Sequence, residues 1–141
     1  MIPDTDLYED DDIEEYDFDE YSDPSKTYGL NLNNNSIIGY IDDNKAIEQA
    51  VFKILSTEQY NHEIYSFDYG VQKNDLYGNI DAYVMSELKA RITEALMNDD
   101  RIEDVIDFEI NRSDKRSYFC KFTVITSEQY DDITFESEVD I

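Results

Sequence analysis

The chain has one cysteine, Cys120, and one histidine, His62, so a single copy cannot assemble a zinc ligand set. A lone cysteine cannot close an intrachain disulfide either, which suits a reducing compartment. Glycine is scarce, at four residues (Gly29, Gly39, Gly70 and Gly78), and there is no phosphate-cradling loop and no Gly-x-Ser-x-Gly elbow. No apolar run approaches the roughly 18 residues of a membrane-crossing helix. The opening Met1-Ile2-Pro3-Asp4 has no basic n-region, so no signal peptide is expected and the protein is expected to be soluble and cytoplasmic when made. No cofactor and no metal are expected.

Basic residues are few, 11 against 35 acids, and they are unevenly placed. Residues 1–24 hold twelve acids and no base, so half of the net charge of −24 lies in this segment. Such a field repels nucleic acid and anionic membrane and attracts basic partners. Residues 1–25 read as an acidic extended arm, and 26–141 as one α+β domain. The arm carries Ile13, Tyr16, Phe18 and Tyr21 among its acids, a spacing that suits docking on a basic, partly apolar partner surface. It does not match a calcium loop, which requires glycine at its sixth position. Paired carboxylates are too common in this composition to single out a glycosidase pair.

The body alternates legibly. Tyr28–Ile41 predicts a hairpin turning at Asn33-Asn34-Asn35-Ser36, because asparagine tolerates left-handed backbone. Asp42 or Asp43 caps a helix to about Ser56, with Ala46, Ile47, Ala50, Val51, Ile54 and Leu55 on one face. Residues 57–70 read as an irregular aromatic segment with a short strand near Ile64. Asp81 is expected to cap a second helix, with Val84, Met85, Leu88, Ile92, Ala95 and Leu96 inward and Glu87/Arg91 paired outward. Three strands follow: Ile106, Phe108 and Ile110 alternate with polar residues in the first, and Tyr118, Cys120, Phe122 and Val124 alternate in the second. In the last, Ile133, Phe135, Ser137, Val139 and Ile141 alternate with polar residues. The expected fold is α+β: an N-terminal hairpin and two helices packed on an antiparallel C-terminal sheet whose terminal strand is open. Cys120 belongs to the core, and His62 to a polar loop.

The end of the second helix breaks a rule. Asn98-Asp99-Asp100-Arg101 sets two carboxylates against the negative end of the helix dipole, at about 0.3–1 kcal/mol each when exposed. Either Asn98 takes a left-handed cap and Asp99 starts a turn, or the charges serve a partner.

The order of elements, together with Ile54–Tyr60, Ile64–Val71 and Glu94–Ile102, resembles the sheath initiators, the lysozyme-like baseplate wedge proteins of contractile phage tails and type VI secretion systems. Short baseplate proteins of defective prophages and phage-tail-like bacteriocins are the most similar members. The resemblance covers about residues 26–141. The family's Glu-Pro-Arg motif aligns with Asp99, Asp100 and Arg101, so the charges remain and the proline is lost. Gln59 stands where the family tends to have arginine after Glu58. The resemblance implies a structural, non-catalytic protein present in six copies, contacting the wedge core through Glu58, Asp99, Asp100, Arg101 and Ile102. It further implies assembly in the bacterial cytoplasm and a final place in the baseplate, beside the sheath protein, wedge proteins and the tail tube or hub. Strand Ile133–Ile141 would be offered to the first ring of sheath subunits. Two alternatives stand beside it: a cell-wall hydrolase, as the lysozyme-like label hints, and an acidic DNA-mimic decoy.

Overall fold

The computed structural model describes residues 25–127 and 130–141. Strands β1 (Thr27–Asn31) and β2 (Ser36–Ile41) form the hairpin, followed by helix α1 (Asp43–Ser56). A one-turn 3-10 helix (Asn74–Leu76) leads into α2 (Asp81–Met97). Strands β3 (Ile102–Arg112), β4 (Ser117–Thr126) and β5 (Ile133–Asp140) then pair in the order β3-β4-β5, all antiparallel. The α+β expectation holds, with the strands in two separate antiparallel sheets.

Helix α1 starts at Asp42, whose side chain accepts the Asp43 N–H. Its buried stripe, Ala46, Ile47, Val51, Ile54 and Leu55, is the face the spacing predicts. Its last turn is closed from outside: Lys73 Nζ donates to the Leu55 carbonyl at 2.8 Å, a cation at the negative end of the dipole. Burial draws the Lys73 pKa down, against the opposing pull of Glu58 and Asp140.

Helix α2 lies chiefly on β3 and buries Val84, Leu88, Ile92, Ala95 and Leu96. Each fully buried Leu or Ile here is worth about 1.5–3 kcal/mol relative to exposure. The cap differs from expectation. Ile80 occupies the cap position, and Asp81 is the first helical residue. The Asp81 carboxylate instead accepts from Tyr118 Oη and Arg112 Nη1, each at 2.8 Å. A buried phenol requires an acceptor, and Asp81 supplies it while tying the helix start to β3 and β4. Arg91 likewise does more than pair with Glu87. It also reaches the Gln72 carbonyl at 2.9 Å and both carboxylate oxygens of Asp75, clamping the 72–76 loop onto α2.

Strand β4 shows the predicted alternation, with Tyr118, Cys120, Phe122 and Val124 all buried. Strand β3 departs from it. It begins at Ile102 and carries register shifts at Ile102/Asp104 and Ile106/Glu109, with Asp107 at φ 56°. The second shift changes the phase, so Val105 and Phe108 face inward and Ile106 is exposed, contrary to the uniform alternation expected for Ile106, Phe108 and Ile110. No strand forms at Ile64, which is 87% exposed. The extended backbone in that segment is instead a parallel bridge between Glu58 and Val71.

Candidate assembly surfaces

Strand β5 is an edge. Its eight residues pair with β4 in unbroken register, Ile133↔Val124 through Asp140↔Ser117. The Ile141 N–H donates to the Arg116 carbonyl at 2.7 Å, which fixes the phase of the ladder. Odd-numbered residues from Ile133 to Ile141 turn their backbone groups toward β4, so Thr134, Glu136, Glu138 and Asp140 turn theirs to the other side, which has no strand partner among the described residues. All four are exposed, while the side chains of Ile133, Val139 and Ile141 are in the core and those of Phe135 and Ser137 are half-buried. The strand is therefore anchored by one set of residues and presents its backbone through the other. The opposite edge, β3, is broken by its two bulges, which interrupt any regular ladder a partner could form.

The hairpin is a second surface, and its role was not legible from alternation. Leu32, Ile37, Ile38 and Tyr40 are each more than half exposed. Gln49 of α1 fastens it: its Oε1 accepts from the Leu30 N–H and its Nε2 donates to the Tyr28 carbonyl, both at 2.8 Å. This side-chain amide satisfies the β1 edge much as a neighbouring peptide would. The available signal was the adjacent pair Ile37-Ile38, because consecutive apolar residues in a strand make both faces sticky.

The expected wedge residues fall at two places. At the end of α2, Asn98 is right-handed, at φ −73°, so it is not the left-handed cap. Asp99 starts the turn, as one of the two readings has it. Its carboxylate accepts from the Arg101 N–H at 3.0 Å, from Arg101 Nε at 2.9 Å and from Nη2 at 2.7 Å. The opposed dipole is thus offset by a forked ion pair two residues away. Asp100 is exposed, and Ile102 is buried at 4%, in the core. Glu58 is separate: its Oε1 accepts from the backbone N–H groups of Lys73 and Asn74 at 2.8 and 3.0 Å, capping the 3-10 helix. Ile13, Tyr16, Phe18 and Tyr21 lie outside the described residues.

Burial raises the Asp99 pKa, but the Arg101 hydrogen bonds outweigh it and the net shift is downward. A depressed carboxyl pKa stabilises the fold above the unfolded value, near 3.9, and that contribution is lost as pH falls through the folded one. The stability gap between the parent chain and Asp99→Asn should therefore be full at neutral pH and close progressively below about pH 4. Urea titrations at stepped pH would check this; a gap constant from pH 7 to pH 2 would contradict it.

Burial pushes the Cys120 thiol up to about 11, so it is protonated at neutral pH. His62 sits in an exposed loop, edge-on to Tyr65. Among the described residues no group of three metal-ligating side chains gathers, and no helix is long and apolar enough to cross a membrane.

Comparison with known proteins agrees with this picture. Residues 15–129 match the family described as contractile injection system sheath initiator. The match begins inside the acidic arm and ends before β5, whereas the sequence resemblance was placed at 26–141. The phage-like element PBSX protein XkdS of Bacillus subtilis (strain 168) is 37% identical over 108 residues, covering 74% of this chain and 76% of that protein. With most of its length inside the family match and a relative at that identity, the chain belongs to the contractile injection system sheath initiators.

Proposed function

We propose that this chain nucleates the contractile sheath by accepting a strand of the first sheath subunit on the vacant edge of β5. The supporting observation is the contrast between the two edges of its sheet: β5 keeps eight residues in unbroken register, and β3 is bulged twice. Main-chain pairing supplies affinity in such an addition, and the alternating side chains supply specificity. Glu136, Glu138 and Asp140 give the edge a negative charge that opposes pairing between two copies. The exposed Asp100, beside the preformed Asp99–Arg101 pair, faces the baseplate wedge, and Glu58 holds the adjoining loop in place. Six copies assemble around the tail tube in the bacterial cytoplasm and remain in the baseplate. The role is structural and requires no reacting group.

An edge-only change tests this, because truncating β5 would also strip Ile133, Val139 and Ile141 from the core. Glu136→Pro removes one outward N–H without touching the β4 ladder. Particles carrying it should show at least about a tenfold loss of sheathed tails, the effect of one disrupted pairing worth roughly 1.4 kcal/mol. Glu136→Ala loses the same ion pair to Lys121 but keeps the N–H, and should assemble normally. Normal sheaths on Glu136→Pro particles, seen by electron microscopy, would refute the role of the edge.

A further inference from the structure

A groove of about 450 Å³ lies between the hairpin, α1 and Phe135 of β5. Its walls are apolar: Leu30, Leu32 and Ile38 come from the hairpin, Phe52 from α1, and the half-buried ring of Phe135 from the sheet. The first four are exposed, and Phe52 stands outside the buried stripe of its helix. An apolar cluster of this kind marks an interaction surface rather than scattered surface residues.

Pairing geometry says what reaches it. Thr134 and Glu136 turn their backbone groups away from β4, so Phe135 between them is a non-hydrogen-bonded position of the outer edge. In an antiparallel pair this is where facing residues come closest, with Cα atoms about 4.5 Å apart. A residue of an added strand opposite Phe135 directs its side chain to the same face as the Phe135 ring. That face opens on the groove. Residues of the added strand opposite Glu136 and Glu138 lie on the other face, where opposite charges attract across the ladder. Glu136 is bonded to Lys121 at 2.9 Å, whereas Glu138 makes no ion pair among the described residues.

We propose that the groove selects the strand that β5 receives: an extended segment with a large apolar residue opposite Phe135 and lysine or arginine opposite Glu136 and Glu138. This rests on strand addition at the β5 edge and adds what that strand must carry. The hairpin becomes the outer wall of a small core that closes only when the strand arrives. Gln49, which ties the Leu30 N–H and the Tyr28 carbonyl to α1, holds the wall in place.

A blocked peptide Ser-Lys-Thr-Lys-Leu-Lys-Thr-Lys-Ser, which reads the same in both directions, is the probe. Titrated into the full chain at fixed salt, it should shift the amide resonances of Thr134, Glu136 and Glu138 and the methyl resonances of Leu32 and Ile38. The same peptide with serine for its leucine keeps the charge and should bind at least about tenfold more weakly, the effect of one lost leucine contact. Phe52→Ser or Ile38→Ser, each at an exposed position, should shrink that ratio to about threefold or less. Glu136→Pro should weaken both peptides. Equal affinity of the two peptides for the parent chain, with both weakened by Glu136→Pro, would overturn the groove's role and leave the edge reading standing. A leucine preference undiminished in Glu136→Pro would overturn the edge reading and the coupling of groove to strand. Self-association without peptide, abolished by Phe52→Ser, would assign the groove to a second copy and overturn the proposal.

Discussion

Phe122→Ala should lower the stability of the domain by about 3–5 kcal/mol, the range for emptying a fully buried phenylalanine site. Phe122 has no exposed surface and sits on the central strand of the sheet. Its ring stacks on Phe108 of β3 at 5.2 Å and on Phe135 of β5 at 5.7 Å, so one aromatic row crosses all three strands. Truncation opens a void and also removes the shared neighbour of the two outer rings. Those rings cannot close the gap, because each is fixed to its own strand. A domain of this size is typically stable by about 5–15 kcal/mol, so the loss consumes a large part of it. Urea unfolding followed by circular dichroism should show a lower midpoint with an unchanged slope. A loss below about 1 kcal/mol would mean the site collapses freely and the row carries no structural load.

Gly70→Ala should be the next most damaging single change. Gly70 has φ +92°, and a Cβ built there would lie 2.7 Å from the Thr57 carbonyl oxygen and 3.2 Å from the Gln59 nitrogen. Both are backbone atoms and cannot swing aside. They also belong to the bridge that holds this segment, in which Val71 N donates to Thr57 O and Gln59 N donates to Val71 O. The dihedral alone is worth about 1–3 kcal/mol, and the overlap adds to it. Gly78 supplies the control: its φ is +88° with nothing within 4 Å of a built Cβ, so Gly78→Ala should show the dihedral cost alone. Equal losses at the two positions would mean the close approach at Thr57 is unimportant. Hydrogen exchange at Gln59 and Val71 should report the loosened bridge directly.

Elements whose side chains all answer to one buried face were legible in the sequence. Helix α1 and strand β4 are of this kind, because a single periodicity covers each from end to end. Strand β3 was not, since the left-handed Asp107 resets the phase midway, and an aspartate between apolar residues reads equally well as the polar face of an even alternation. Ile64 is apolar and β-branched, yet the bridge forms at Val71, where Gly70 permits close approach. Asn98 suggested a left-handed cap, but the Asp99–Arg101 fork settles that corner by other means. Gln49 carries no signal at all: a glutamine on a helix becomes a strand surrogate only once a hairpin lies beside it. At the β5 edge, alternation identified which side chains anchor the strand. Which backbone groups point outward required the Ile141–Arg116 bond.

The two bulges in β3 also set a valence. A sheet with two regular edges can be extended from either side, and each added copy offers a new edge for the next, as in a fibre. Here β3 is irregular, so among the described residues the three-stranded sheet keeps one regular edge, β5. Two copies meeting through β5 would cover the regular edge of each three-stranded sheet. The bulges thus leave this sheet one regular edge from which a ladder could be extended.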